Sequence, residues 1–179
     1  TGINQAWVSD ITYIRLLCEF VYLAVIMDLF SRRCVGWAIS RNPDALLTLG
    51  ALNMAITLRG EGYVLGCIHH SDQGVQYTCS DWKRFVGDNN LELSMSRRGN
   101  CHDNAVAESF FHTLKIALVH NQTFYTRNQA TRTIFEYIEC FYNTKRMHSA
   151  IGYKSPNQFE QEYYKQQTVY PKHSCLLNC

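Results

Sequence analysis

Three consecutive segments with the composition of β-strands open the chain, and the connections between them are very short. Residues 7–14 and 34–40 are rich in β-branched and aromatic side chains, and residues 20–29 are almost wholly apolar. Short connections indicate antiparallel pairing, because a parallel pair needs a long crossover between its strands. The first forty residues therefore predict a three-stranded antiparallel sheet.

Helix-like and strand-like segments alternate after this start. Pro43 stands where a first helical turn would begin, and apolar residues recur at helical spacing over 45–59. Thr126 and Gln129 have the spacing of a capping box ahead of a later helix. The remaining patterns predict strands at 64–69 and 91–95, and helices at 80–86 and 103–119. The order βββαβαβα predicts an α/β, ribonuclease H-like fold: a mixed five-stranded sheet with helices on both faces and a C-terminal helical extension.

The length and composition fit one domain with an extension. Of the 179 residues, 46% are apolar and 18% are charged, which is enough apolar material for a sizeable core. The longest apolar run, residues 20–27, is far below the roughly 20 residues of a membrane-spanning helix, so we expect no membrane association. We predict a core at 1–121, a helical extension packed on it at 122–163, and an irregular tail at 164–179.

Net charge and cysteine content leave the partner open. Lys and Arg total 17 against 15 for Asp and Glu, and a net charge of +2 neither requires nor excludes nucleic acid. The eight cysteines are scattered and form no C-x-x-C pair, which favours free thiols over a disulfide scaffold. A zinc site of His173, Cys175 and Cys179 is the alternative, although this spacing matches no common zinc pattern.

Three carboxylates stand where a carboxylate is unusual. Asp10 interrupts the first strand, Asp72 directly follows the fourth, and Glu108 lies one turn into the helix D-N-A-V-A-E-S-F-F. Each alone has an ordinary explanation, as a strand-edge charge, a turn residue or a solvated helix residue. Together at one sheet edge they would repel one another and need a cation. Oxygen-only ligands suit Mg²⁺ or Mn²⁺, and a pair of such ions supports phosphoryl transfer.

Two basic side chains follow Glu108 along the same helix. Lys115 lies two turns after Glu108 and so on the same face, where a cation can contact a DNA phosphate. His112 lies one turn after Glu108 and has either the same role or that of an ordinary surface histidine.

Several longer motifs resemble one known family. They are W-V-S-D-I-T-Y, D-L-F-S-R-R-C-V-G-W, H-S-D-Q-G-V-Q-Y, S-M-S-R-R-G-N-C-H-D-N-A-V-A-E-S-F-F and Y-N-T-K-R-M-H-S-A-I-G-Y-K-S-P. In this order they resemble the integrase catalytic core of bacterial insertion-sequence transposases of the DDE type, relatives of retroviral integrases. Thirty-five residues separate Asp72 from Glu108, a spacing typical of that family.

The resemblance implies a function. Asp10, Asp72 and Glu108 would be the catalytic, metal-binding triad for two Mg²⁺ or Mn²⁺ ions. The reaction would be cleavage of DNA at the element ends, followed by attack of the freed 3′-OH on target DNA. The partners would be element-end and target DNA and further copies of the chain. With no leader visible in the sequence, we expect a cytoplasmic, nucleoid-associated bacterial protein.

Other basic residues are candidates for DNA contact. Arg97 and Arg98 precede the Glu108 helix, where phosphate contact and a solvated loop are both open interpretations. Arg146, His148 and Lys154 lie among aromatic residues, a composition typical of a nucleic-acid groove, although internal packing explains it nearly as well.

Two alternative functions remain at this point. A ribonuclease H-like nuclease would share the carboxylates and metals but only hydrolyse DNA. A decayed, non-catalytic module would keep the fold for DNA binding or assembly.

Overall fold

The computed structural model describes residues 2–96, 105–119 and 122–169, and a five-stranded sheet with helices on both faces is built from them. The strands are β1 (Ala6–Arg15), β2 (Phe20–Asp28), β3 (Cys34–Ser40), β4 (Ile68–Ser71) and β5 (Glu92–Met95). The helices are α1 (Ala45–Arg59), α2 (Val75–Thr78), α3 (Ser80–Asp88), α4 (Ala105–Leu114), α5 (Arg127–Phe135) and α6 (Pro156–Val169). The helices α4 and α5 continue as π-helical segments, Lys115–Val119 and Glu136–Tyr142.

The sheet has the strand order β3-β2-β1-β4-β5. β2 pairs antiparallel with both β1 and β3, whereas β4 pairs parallel with β1 and with β5. The chain therefore starts as an antiparallel meander and continues with parallel strands joined by helices, which confirms the predicted mixed sheet. None of the helices in the described ranges is long and apolar enough to cross a membrane.

Local sequence signals fix several element ends. Asp44 caps α1 by accepting a hydrogen bond from the Leu47 N–H at 3.1 Å. Thr126 caps α5 by accepting from the Gln129 N–H at 3.2 Å, which confirms this helix start. The predicted helix start at Asp103 lies outside the described residues.

The fourth strand begins later than the sequence predicts. Val64 and Cys67 are buried, but the chain forms a 3₁₀ turn at Glu61–Tyr63 and Gly66 adopts a φ of 70°. Because a left-handed residue interrupts extended backbone, only Ile68–Ser71 joins the sheet, and the predicted strand at 64–69 is wrong in its bounds. The apolar pattern there reflected burial and not strand pairing.

Alternation along β1 divides the interior into two cores. Val8 and Ile14 face a core that β2, α4 and α5 share, with Phe110 and Ile134 at its centre. Trp7 faces the opposite core, under α1 and α3. The sheet is thus buried on both faces, as its parallel half requires.

The predicted tail boundary falls inside a helix. The helix α6 begins at Pro156 and continues through Val169, past residue 164 where we expected irregular structure. Five cysteines in the described ranges are free thiols, as predicted: Cys18, Cys34, Cys67, Cys79 and Cys140. The alternative zinc ligands His173, Cys175 and Cys179 lie outside those ranges.

Close packing of α1 on β3 depends on a glycine. A Cβ built on Gly36 would lie 2.2 Å from the Ala51 carbonyl oxygen and 2.9 Å from the Ala55 Cβ. Backbone occupies that space, so a side chain at this position must push the helix off the sheet.

We expect Gly36→Ala to lower the free energy of unfolding by about 1–3 kcal/mol because it overpacks this contact. Gly87 in α3 is the matched control, since a Cβ there meets nothing within 4 Å. Gly87→Ala should raise stability by roughly 0.5–1 kcal/mol through helix propensity. Urea unfolding of the two variants measures this, and equal effects of the same sign would contradict it.

A buried ion-pair network joins α6 to the sheet. Glu160 is 3% exposed, and it accepts hydrogen bonds from Arg33 and Arg59, each at 2.8 Å. The Arg59 guanidinium also lies 4.0 Å from Asp28 at the end of β2. Burial alone would raise the pKa of Glu160, but hydrogen bonding and charge from Arg59 outweigh it and lower that pKa. The network fixes α6 against the turn that follows β2.

Glu160→Gln should lower the free energy of unfolding by about 3–5 kcal/mol, because it leaves the buried Arg59 guanidinium and the partly buried Arg33 guanidinium without this carboxylate. Glu162 is the control on the same helix, where it pairs with Lys154 at the surface. Glu162→Gln should cost less than about 1 kcal/mol. Thermal or urea unfolding tests both variants, and a similarly small loss for each would show that the buried network contributes little.

Candidate active site

Asp10 on β1 and Asp72 after β4 lie at the same level of the sheet. The parallel pairing aligns Trp7 with His69 and Val8 with His70. Continuing this register by two residues brings Asp10 level with Asp72, the residue that directly follows β4. Both carboxylates therefore lie towards the carboxyl ends of neighbouring parallel strands, where open α/β sheets form their ligand sites.

Glu108 approaches the same place from α4. The apolar face of this helix, which includes Phe110 and Leu114, is buried against the sheet, while Glu108 itself is exposed. The pKa of Asp10 is raised to about 6, first by burial and further by the negative charges of Asp72 and Glu108. The three side chains that the sequence singled out are thus close enough to interact electrostatically.

Each aspartate is also held by local backbone. The Asp10 Oδ1 accepts a hydrogen bond from the Ile11 N–H at 2.7 Å, which favours the charged form and opposes the rise in the pKa of Asp10. The Asp72 Oδ1 accepts from the Gly74 N–H at 2.9 Å, an Asx turn that starts the segment before α2. These contacts leave carboxylate oxygens of both residues available for a ligand.

The donor set suits a hard divalent cation, because it consists of carboxylate oxygens. Across the described ranges, no three His, Cys, Asp or Glu side chains lie close enough to hold one ion between them. The three carboxylates are therefore electrostatic neighbours in this conformation and do not form a closed cage.

Lys115 brings positive charge to the edge of this cluster. Its charge lowers the pKa of Asp10, and its Nζ lies over the Tyr13 ring at 4.9 Å from the centroid. The aromatic ring on β1 thus holds the ammonium group beside the carboxylates. The structure places His112 on α4 as an exposed side chain. Arg97 and Arg98 lie outside the described residues.

Sequence reasoning missed a buried hydroxyl pair below the aspartates. The Ser9 Oγ donates a hydrogen bond to the Tyr77 Oη at 2.8 Å, and both residues are buried. Burial, and the charges of Asp10 and Asp72, raise the pKa of Tyr77. The pair links β1, next to Asp10, to α2, which follows Asp72. Its sequence signal is slight: a serine just before Asp10 and a tyrosine five residues after Asp72.

The segment around Arg146 combines internal packing with an open basic surface. Tyr142 and Asn143 are buried, and the Asn143 side-chain amide both accepts from and donates to the Cys34 backbone at 3.0 Å. Arg146 and His148 line a pocket beside α4, whereas Lys154 pairs with Glu162 away from that pocket. The segment therefore separates into packing residues and basic residues that remain accessible.

Two family models described as Integrase core domain match the chain, one over residues 1–101 and the other over 108–164. The first match alone spans more than half of the sequence. The chain therefore belongs to the integrase core domain family.

Two insertion-sequence transposases are similar in sequence to this chain. Transposase InsF for insertion sequence IS3fB of Escherichia coli (strain K12) is 44% identical over 162 residues, covering 90% of this chain and 56% of that protein. The transposase for insertion sequence element IS904 of Lactococcus lactis subsp. lactis (strain IL1403) is 45% identical over 160 residues, covering 89% and 62%. These matches confirm the resemblance to insertion-sequence transposases. The chain spans little more than half the length of these relatives.

Solved structures share the fold. The catalytic core domain of BIV integrase superposes with a TM-score of 0.64 at 18% identity, covering 92% of this chain and 99% of that one. The Mos1 transposase catalytic domain, solved with raltegravir and Mn, gives 0.63 at 15% identity, covering 77% and 72%. The HTLV-2 integrase catalytic core domain, solved with magnesium in a dimeric form, gives 0.58 at 16%, covering 87% and 94%. The ribonuclease H-like fold class is confirmed.

A buried histidine lies on the strand that leads to Asp72. His69 is fully buried against Trp82, at 5.1 Å between ring centroids, and neither of its ring nitrogens has a hydrogen-bond partner among the described residues. Burial lowers the pKa of His69 from 6.5 to about 4. The imidazole is therefore neutral in the folded chain at pH 7.

This histidine should make stability depend on pH. Between pH 6.5 and about 4 the unfolded chain binds a proton at His69 that the folded chain does not, so stability falls as the pH falls through this range. The expected contribution is about 1.4 kcal/mol per pH unit. His69→Phe keeps a ring and removes the titration, so its urea-unfolding free energy should show a slope smaller by this amount. Parallel curves for the two proteins would rule out this contribution.

Proposed function

We propose that this chain is the catalytic core of a DNA transposase that cleaves DNA at the ends of its element and joins the free 3′-OH to target DNA. The observation that carries the proposal is the convergence of Asp10, Asp72 and Glu108 from β1, the end of β4, and α4. Burial, and then the negative charges of Asp72 and Glu108, raise the pKa of Asp10, and a divalent cation would relieve this repulsion. Membership of the integrase core domain family supports this chemistry.

Asp10, Asp72 and Glu108 would hold two Mg²⁺ or Mn²⁺ ions. The HTLV-2 integrase catalytic core domain was solved with magnesium and the Mos1 transposase catalytic domain with Mn. When bound, such ions supply activation of the attacking oxygen and stabilisation of the leaving oxygen in phosphoryl transfer.

The chain itself contributes position and charge. The β1–β4 pairing orients the two aspartates, the Ser9–Tyr77 hydrogen bond supports the strand beneath them, and Lys115 contacts a DNA phosphate next to them. His112, Arg97 and Arg98 extend this contact with DNA. No covalent protein intermediate is involved, so the site needs no nucleophilic side chain.

The proposal also includes the setting of the reaction. The partners are element-end DNA, target DNA and further copies of the chain, which hold two DNA ends together in the active complex. Residues 1–121 act as the core with 122–163 packed on it, in a cytoplasmic, nucleoid-associated bacterial protein.

Glu108→Gln should abolish metal-dependent nicking of plasmid DNA and strand transfer from a duplex with a free 3′-OH. Removing a residue that only supports a metal ligand typically lowers activity roughly 10–100-fold. We expect a larger loss of activity here, because Glu108 is itself an assigned ligand. Because Glu108 is exposed, the melting temperature without metal should stay within a degree or two of the unaltered chain. Glu61→Gln, which changes an exposed carboxylate on the 3₁₀ turn, is the control and should keep full activity.

Two further readouts separate the alternatives. Hydrolysis without any strand-transfer product would indicate a simple nuclease, and the absence of both products would indicate a non-catalytic module. Metal binding is followed independently by the rise in melting temperature on adding Mn²⁺, which Asp10→Asn should remove. An equal rise in the Asp10→Asn variant would contradict the assigned metal ligands.

A further inference from the structure

A pocket of about 260 Å³ beside α4 is lined by three basic side chains, Arg32, Arg146 and His148. Arg32 comes from the turn between β2 and β3, and the other two come from the segment after α5. Ser109, the residue that follows Glu108, lines the pocket from the helix side. Three separate parts of the chain thus bring cationic or hydrogen-bonding groups to one cavity.

The pocket contains hydrogen-bonding atoms without partners. The Arg146 Nε and the His148 Nε2 are both buried, and neither has a hydrogen-bond partner within the described part of the chain. Both atoms belong to residues that line the pocket, and a bound ligand with acceptor oxygens would offset the roughly 1–3 kcal/mol that a buried donor without an acceptor costs.

Within the described ranges, no acidic side chain pairs with the two arginines of the pocket. None of the lining residues is Asp or Glu. Over the residues that the structure describes, every ion pair involves other cations, and neither Arg32 nor Arg146 has a carboxylate within 4.0 Å. Burial lowers the pKa of His148 to about 4, and the positive charges of Arg146 and Arg32 add to this effect. The positive charge of Arg32 and Arg146 therefore favours an anion in this cavity.

Arg32 is held in place by the backbone of its turn. Its φ is 63°, in the left-handed region that non-glycine residues seldom adopt. The Arg32 N–H donates to the Asp28 carbonyl at 2.9 Å, while the Asp28 Oδ1 accepts from Phe30 and Ser31, each at 2.9 Å. The turn keeps an arginine where glycine would be easier, which agrees with a requirement for its guanidinium group.

We propose that this pocket binds one phosphate group of a DNA backbone, with Arg32, Arg146 and His148 as its donors. Planar guanidinium groups suit phosphate oxygens, and the neutral His148 ring can donate one N–H to them. Because Ser109 lines the pocket, the bound phosphate lies on the flank of the helix that carries Glu108. The identification of DNA as the source of the phosphate rests on the proposed function, whereas phosphate binding itself does not.

Inorganic phosphate tests the pocket without DNA. Titrated into the unaltered chain, it should shift the side-chain Nε–H resonance of Arg146 and the ring resonances of His148 in a saturable way. Inorganic sulfate at the same ionic strength should compete, and chloride should not. If phosphate shifts neither residue more than chloride does, the pocket is not a phosphate site.

Two neighbouring substitutions of the same kind test the DNA assignment. Arg146→Gln removes a pocket cation, and Lys145→Gln removes an exposed cation that does not line the pocket. In EDTA, Arg146→Gln should weaken binding to a DNA duplex about tenfold or more. It should also reduce the slope of log K against log salt by about 0.9, the value for one lost phosphate contact. Lys145→Gln should change the affinity less than twofold.

Arg32→Gly provides a variant that favours folding, because glycine adopts this φ without strain. It should weaken DNA binding as Arg146→Gln does while retaining or raising the melting temperature. Equal, small effects of the Arg146, Arg32 and Lys145 substitutions would overturn the DNA assignment, as would a lack of salt-dependent DNA binding by the unaltered chain.

The phosphate site and the proposed catalysis can be tested separately. Glu108→Gln should lose nicking and still show the phosphate-induced shifts and the Arg146-dependent salt slope. Loss of the pocket effects with nicking intact would overturn only the phosphate site, and the converse would overturn only the catalytic assignment.

Discussion

The parallel pairing of β1 with β4 holds Asp10 and Asp72 at one edge of the sheet, although like charges at that edge repel each other. Strand pairing can impose this arrangement because backbone hydrogen bonds and the burial of side chains on both faces of the sheet stabilise the pairing. Trp7 and Val8, three and two residues before Asp10, are fully buried in opposite cores. The proximity of the two aspartates is therefore a consequence of the sheet, and burial together with the charges of Asp72 and Glu108 raises the pKa of Asp10.

The helix α4 separates two regions of opposite charge. Glu108 interacts electrostatically with Asp10, while the next residue, Ser109, lines the cavity of Arg32, Arg146 and His148. A polyanion that passes across this helix would meet both the proposed metal site and the proposed phosphate site. This division agrees with a backbone phosphate that is held on one flank while another is positioned at the carboxylates.

Several features could be predicted because local signals agree with the final structure. The three initial strands, the helix at 45–59 and the helix start at Thr126 follow from β-branched content, apolar period and capping residues. Where local and tertiary requirements differ, prediction fails. Val64 and Cys67 are apolar because they are buried, yet Gly66 keeps them out of the sheet. For Tyr142 and Asn143 the residue types left nucleic-acid contact and internal packing both open, and the structure packs them against the core and β3.

The sequence by itself determined the order of the strands and helices, the three unusual carboxylates and the family, because these depend on residue types and spacings along the chain. Only the tertiary structure decided which distant groups meet. The register of β1 and β4 brings Asp10 beside Asp72, and the turn after β2 brings Arg32 to Arg146, more than a hundred residues away. Such meetings depend on packing between elements, and no local pattern encodes the distance between side chains that are remote in sequence.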